Sequence, residues 1–350
     1  MSSNRRIAIV LFNLGGPDSP AAVEPFLFNL FNDRNIIDLP GVLRWPLAKL
    51  ISSRRAKAAG AIYAEMGGRS PILPNTERQA AALQASLGDL GEVKVFIAMR
   101  YWHPLTEETV AAVKRFAPDE VILLPLYPQF STTTTESSDR VWRVAAKRQG
   151  LTAPRKLICC YPTEPGFIAG VAKVTAAAIA RAKAKTKAPI FVIFSAHGLP
   201  KKIVDRGDPY VAQVSATVHA VVDTLGLAVP EWMVAFQSRV GPLEWVGPPT
   251  DHSIEEAASA GKAVVVVPIA FVSEHSETLV ELDIEYRHLA EKRGAAAYER
   301  APTVSEEPDF IAGLAQLVRT ALQQPQRVQP GSGAQYCAAW PRCACQREEL

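Results

Sequence analysis

Long apolar runs are missing from this chain of 350 residues. None approaches the roughly 20 consecutive apolar residues a helix needs to cross a bilayer. Charge of one sign is scarce too: 38 Lys and Arg against 35 Asp and Glu leave a net charge of +3. No Lys/Arg block is long enough to read as a nucleic-acid stripe, which sets that class aside. Nucleotide signatures are absent. Leu14-Gly15-Gly16-Pro17 lacks the G-x-G-x-x-G spacing, and no G-x-x-x-x-G-K-S/T occurs. Cysteines number five, an odd count, and the segment Met1-Ser-Ser-Asn-Arg-Arg-Ile-Ala-Ile-Val runs into a strand-like stretch with no leader pattern. Both observations argue against a disulfide framework and for a cytoplasmic protein, soluble or peripheral at a membrane.

What is present is a globular composition, 48% hydrophobic and 21% charged. The length fits two domains better than one core. Seven apolar runs read as strands, at residues 7–13, 94–101, 120–127, 155–160, 189–195, 231–237 and 263–271, with a weaker eighth at 295–301. Helical patterns lie between them, at 77–87, 106–115, 167–183, 208–225 and 252–260. This alternation predicts an α/β fold: two Rossmann-like domains, each a four-stranded parallel sheet flanked by helices, with a cleft between them. The expected division is 1–165 and 166–305. An amphipathic helix within 306–326 returns to the first domain, and 327–350 forms a linker and Cys-rich tail.

Residues 22–51 carry more apolar surface than one helix face can bury, including Phe26, Phe28, Phe31, Leu43, Trp45 and Leu50. About half should be core. The rest would form an exposed lip for a flat apolar ligand or a membrane surface.

Two apolar runs break off into histidine. One is Ala188-Pro-Ile-Phe-Val-Ile-Phe-Ser-Ala-His197, and the other runs from Ala263 to Val272-Ser-Glu-His275. In open parallel sheets, ligands bind at the carboxyl ends of strands. His197, held by the Gly198-Leu-Pro200 turn, could accept a proton near neutral pH; alone, it reads more simply as a strand-end histidine bonded to backbone. Glu277, Glu281 and Glu285 recur every four residues, so they share a helix face. By spacing that face is solvated; with His275 it could instead bind a divalent cation. Other strand ends are polar as well, a series that is hard to explain as packing alone.

Several long segments in order resemble one known family. They are LFNLGGP (11–17), RYWHPLTEE (100–108), YPQFSTTTT (127–135), FSAHGLP (194–200), VDRGDPY (204–210), FQSRVGPLEWVGPPTD (236–251) and PIAFVSEHSETLVELDIEY (268–286). Together they resemble the ferrochelatases over residues 7–323. The resemblance implies the chelatase fold, a porphyrin cleft between the domains, and insertion of Fe²⁺ into protoporphyrin IX as the last step to protohaem. It implies that His197 takes the pyrrole protons. Glu277 would sit across the macrocycle, and His275, Glu281 and Glu274 would belong to the acidic metal side. The family often has Asp where Glu274 stands. Asn13, Leu14, Arg100, Tyr101, Tyr127, Ser131, Gln237, Ser238 and Trp245 would line the porphyrin site. Competing readings are coproporphyrin III or another metal as substrate, and a non-catalytic porphyrin binder. Monomer and homodimer both occur in the family.

Cys337, Cys343 and Cys345 resemble the tail that holds a [2Fe–2S] cluster in some members. Such a cluster takes four thiolates. Animal members place the remote one just after the YPQ-S motif, where this chain has Thr132 to Thr135, so Cys159 or Cys160 is the substitute. Zn²⁺ or a reduced, metal-free tail are the alternatives.

Overall fold

The computed structural model describes residues 5–228, 231–238, 243–331, 337 and 339–346. In chain order the first half holds β1 (Arg6–Asn13), α1 (Val23–Phe31), α2 (Gly41–Ala64), α3 (Ile72–Ser86), β2 (Glu92–Met99), α4 (Thr106–Phe116), β3 (Glu120–Pro125), α5 (Thr135–Gln149) and β4 (Arg155–Cys160). Then follow α6 (Pro165–Lys185), β5 (Ile190–His197), α7 (Lys201–Asp205), α8 (Tyr210–Leu225), β6 (Trp232–Gln237), α9 (Thr250–Ser259) and β7 (Ala263–Pro268). A π-helix (Glu277–Glu285), α10 (Tyr286–Lys292), β8 (Ala297–Arg300), α11 (Pro308–Gln323) and β9 (Val328–Pro330) follow, with short 3₁₀ turns at Pro20–Ala22, Gly88–Leu90 and Ala344–Gln346.

Two parallel sheets result, ordered β2-β1-β3-β4-β9 and β6-β5-β7-β8. The central strands β1, β3 and β7 are apolar and buried along nearly their whole length, because helices cover both faces. Each of the eight anticipated strands is found. The first sheet, however, has five strands where four were expected. Its extra strand, β9, lies in the segment read as a linker. It pairs through backbone alone, Leu157 opposite Val328 and Ile158 opposite Gln329, on the free edge of β4. Ladder pairing needs no apolar alternation, and an edge strand of three residues leaves no trace in the residue pattern.

The return of α11 depends on absent side chains. A Cβ on Gly166 would collide with the Asp309 carbonyl oxygen, and one on Gly313 would collide with the Glu164 carboxylate. Glu164 in turn caps α6, accepting from the Phe167 amide at 2.7 Å, with Pro165 opening the helix.

Buried polar side chains join the two halves. Gln79 on α3 donates to the carbonyls of Val272 (2.7 Å) and Ser305 (3.0 Å). Asn13, at the end of β1, donates to Thr76 Oγ1 at 3.0 Å and to Ser273 Oγ at 3.4 Å. On the other side, Asp208 accepts from Ser131 Oγ (3.0 Å) and from the Thr132 amide and hydroxyl (both 2.7 Å). Thr217 accepts from Gln129 Nε2 at 2.9 Å. All these groups have partners, so the halves are held in one register without an unsatisfied polar atom at these contacts.

The lip divides as anticipated. Val23, Phe26 and Leu27 are buried, whereas Val42, Leu43, Trp45 and Leu50 are 47–82% exposed. No described helix is long and apolar enough to cross a membrane.

Candidate active site

His197 ends β5, and parallel pairing sets it beside Gln237 at the end of β6. The structure brings His197 and Glu277 together: His197 Nδ1 lies 3.0 Å from Glu277 Oε2. The two groups that the resemblance sets on opposite sides of a macrocycle here touch each other, drawn together by charge and a hydrogen bond. Glu281 follows one turn on. It accepts from Gln237 Nε2 (3.1 Å), the Ser238 amide (3.0 Å), Ser238 Oγ and Tyr286 OH (3.0 Å). Gln237, Ser238, Trp245, Asp251, Glu281 and Glu285 line an open hollow of about 480 Å³. The Trp245 indole N–H is buried and finds no partner among the described residues. Arg239 to Pro242, part of a strand-end motif, lie outside the described residues.

The carboxylates recur as the sequence indicates, but on a π-helix and not an α-helix. Such wide turns are uncommon and occur mostly at functional sites.

His275 and Glu274 have specific tasks. The Glu277 amide donates to His275 Nδ1 at 3.1 Å, so the neutral ring carries its proton on Nε2. Its ring stands edge-on to Phe271, centroids 4.6 Å apart. Glu274 accepts from Arg300 Nη1 (2.9 and 3.2 Å), the Thr303 amide (3.0 Å) and Thr278 Oγ1. Both of its oxygens are thus engaged by protein donors.

Charge sets the protonation pattern. Burial pulls the His197 ring down, but the Glu277 carboxylate, through charge and hydrogen bond, lifts it above the ordinary histidine range. Burial opposes ionisation of Glu277, yet the His197 charge holds its carboxyl down at about 2. Burial and the neighbouring Glu277 charge push Glu281 up, and burial pushes His275 down. Adjacent carboxyls with environments that pull them apart are the usual mark of an acid–base site.

The anticipated cleft residues on the first half are largely committed to the protein. Arg100 pairs with Asp33 (2.8 Å) and donates to Ser137 (2.8 Å); the Tyr101 hydroxyl also donates to Asp33, at 2.8 Å. Tyr127, half-buried, has its hydroxyl near Ser138 and its ionisation suppressed by burial. Leu14 packs with Val23, Phe26 and Tyr63. Asn13, Tyr101, Ser131 and Gln237 are all buried. Residue pattern did not expose Asp33, which is fully enclosed and also pairs with Arg140 at 3.1 Å. Nor did it expose Tyr63 on α2, whose hydroxyl meets Ser276 and is pushed up to about 12 by burial. Tyr210 was missed as well; its hydroxyl bonds the His197 backbone. An aspartate amid the aromatic residues of the lip was the one available signal for the first. No spacing rule relates the others to the site.

A second cluster lies at the end of β4. The sulfurs of Cys159, Cys160, Cys337 and Cys343 all fall within 4.8 Å of one another, and all four residues are buried. Cys345 Sγ is 3.4 Å from Cys343 Sγ. The β9 pairing carries the tail there, with the Gly331 amide donating to the Cys160 carbonyl at 2.6 Å.

A doubly sheeted α/β frame with histidine and carboxylates at the strand ends has the architecture of a chelatase. It is similar to the structure of SirB from Bacillus subtilis with Fe³⁺ (TM-score 0.52, 12% identity, 91% of this chain and 95% of that one), a likeness of fold alone. The ferrochelatase family model matches residues 6–322. The ferrochelatase of Caulobacter vibrioides is 52% identical over 97% of this chain and 98% of its own length. That of Phenylobacterium zucineum is 51% identical over 97% and 98%. The chain belongs to the ferrochelatase family, and its reaction is the insertion of Fe²⁺ into protoporphyrin IX with release of two protons.

Because Glu277 raises the His197 ring, Glu277→Gln should lower it: the variant ring gives up its proton at lower pH than the wild-type ring. Proton NMR titration of the ring signals, assigned with His197→Ala, reads this directly. An unchanged or higher midpoint in Glu277→Gln would show that the pair is not electrostatically linked.

Proposed function

We propose that His197 and Glu277 form the proton-accepting unit for metal insertion. The supporting observation is their 3.0 Å contact. In the neutral ring the Nδ1 proton points to Glu277, leaving the Nε2 lone pair free for a pyrrole proton. The imidazolium that forms is then stabilised by the fixed Glu277 charge, the logic of an oriented histidine base. Exchange of Fe²⁺ for two N–H protons conserves charge only if both protons leave. Glu281, with its carboxyl raised, takes a proton readily and passes it toward Glu285 and Asp251 at the open hollow. We assign His275 and Glu274 positioning roles within the acidic side: the first holds the Glu277 backbone, the second ties that loop to Arg300. The other residues that the family resemblance names, Asn13, Leu14, Arg100, Tyr101, Tyr127, Ser131, Gln237, Ser238 and Trp245, shape the porphyrin site from the walls. The chain divides functionally at about residue 165, with the acid–base residues in the second half.

The lip supports contact with a membrane surface, from which an apolar porphyrin can enter. Its exposed Val42, Leu43, Trp45 and Leu50 are flanked by exposed Arg54 and Lys57. A Leu43→Ser/Trp45→Ser variant should sediment less with anionic liposomes than wild type; equal sedimentation removes the membrane contact.

The five thiols fit a [2Fe–2S] cluster. Such a cluster takes two thiolates on each iron, and three close pairs are present: Cys159 with Cys160 (3.5 Å), Cys160 with Cys337 (3.6 Å) and Cys343 with Cys345 (3.4 Å). The last two pairs use all three tail thiols, so we take Cys160, Cys337, Cys343 and Cys345 as the ligands, leaving Cys159 over. The cluster supplies a one-electron redox centre when bound, which the insertion chemistry does not use. A single Zn²⁺ is the second reading, favoured by the tight grouping. A tetrahedral ion with bonds of about 2.3 Å spaces its sulfurs by about 3.8 Å, and four sulfurs here lie within 4.8 Å. Anaerobically purified protein should contain iron and acid-labile sulfide in equal amounts. Zinc in their place, or neither, defeats the cluster.

His197→Ala should still bind protoporphyrin IX, read by fluorescence quenching. Anaerobic Fe²⁺ insertion should fall by about 10²–10⁴-fold, the usual contribution of a positioned base. Retained turnover would remove His197 from its role.

A further inference from the structure

Gln213 lies on α8, fully buried, and neither half of its side-chain amide serves the proton chemistry. Its Nε2 donates to Cys160 Sγ at 3.6 Å, a normal length for a bond to sulfur. Its Oε1 accepts from the Phe130 amide at 2.7 Å. Phe130 precedes Ser131, in the wall segment that Asp208 also grips. One helical turn before Gln213, the Tyr210 hydroxyl bonds the His197 backbone. A single planar group therefore joins a thiol of the cysteine cluster to the wall of the cleft, on a helix that begins at the catalytic histidine.

A side-chain amide is rigid and planar, so its two ends move together. An electron added at the metal site makes the thiolate sulfurs more negative and draws an N–H donor closer. Hydrogen bonds to sulfur are among the levers that set the potential of such sites. A shift of Nε2 toward sulfur must move Oε1 relative to Phe130.

We propose that Gln213 is a positioning residue that links the redox state of the [2Fe–2S] site to porphyrin seating, with Cys160 on one side and Phe130 on the other. The inference rests on the cluster reading above. Linkage is reciprocal: if one-electron reduction changes porphyrin affinity, porphyrin must shift the reduction potential by the matching factor. The electron comes from an added reductant, and one ferric iron becomes ferrous.

The test is a dithionite titration of the intact, anaerobically purified protein, followed by electron paramagnetic resonance, with and without metal-free protoporphyrin IX. Wild type should show a porphyrin-dependent midpoint, matching a change in porphyrin Kd of about fivefold or more between the two redox states. Gln213→Glu keeps an acceptor for the Phe130 amide and removes the donor to sulfur. Its midpoint should fall, and the porphyrin dependence should vanish. Gln213→Met, which keeps the bulk and neither polar atom, should likewise lose the dependence. Equal wild-type midpoints with and without porphyrin overturn the inference, and that arm needs no variant. A cluster-bearing variant that keeps the wild-type porphyrin shift overturns it too. Wild-type protein without iron and sulfide defeats the cluster reading instead, so the two failures are distinguishable.

Discussion

The structure depends on keeping two separately built sheets in register through buried polar contacts. Apolar surfaces slide over one another at little cost, whereas a buried donor that loses its acceptor costs about 1–3 kcal/mol. Gln79, Asn13 and Ser273 join the halves on one side; Asp208, Gln213 and Thr217 grip residues 129–132 on the other. Each contact is directional, so the strand ends carrying Asn13, Gln237 and His197 are fixed relative to one another. A site that must hold a rigid disc and remove two protons from its centre requires such a frame.

Within that frame, the site works by asymmetry. His197 and Glu277 are hydrogen-bonded, and burial together with the Glu277 charge keeps the next carboxyl, Glu281, from ionising as readily. Three carboxylates on one helix face would simply repel in water. Here Ser238, Gln237 and Tyr286 satisfy the second of them with four hydrogen bonds. The π-helix belongs to the same arrangement: it starts where His275 holds the Glu277 amide.

The first half contributes position more than chemistry. Asp33, enclosed and charged, gathers Arg100, Arg140, Tyr101 and Ser137 beneath the lip. Removing one partner from a buried ion network typically costs 3–5 kcal/mol, since the remaining charge is stranded. The lip is thus tied at its base while its outer face stays apolar and open. The cysteine tail is tied in a comparable way, by a short edge strand whose backbone delivers the thiols to Cys160.

Much of this was legible in the residues. Continuous β-branched runs marked the strands of both sheets, because a strand buried on both faces tolerates few polar side chains. The motifs around FSAHGLP and SEHSE marked the histidine and the carboxylate that the fold brings into contact. The chain could not reveal β9, because an edge strand of three residues is held by backbone groups and carries no alternating pattern. It could not reveal that His197 and Glu277 touch, since they lie 80 positions apart. It named Arg100 and Tyr101 as cleft residues without showing that Asp33 occupies both of them. Local pattern determines which face of an element is apolar and where a strand stops. Which polar groups meet across the closed interior is decided only when distant segments are packed and every buried donor must find its acceptor.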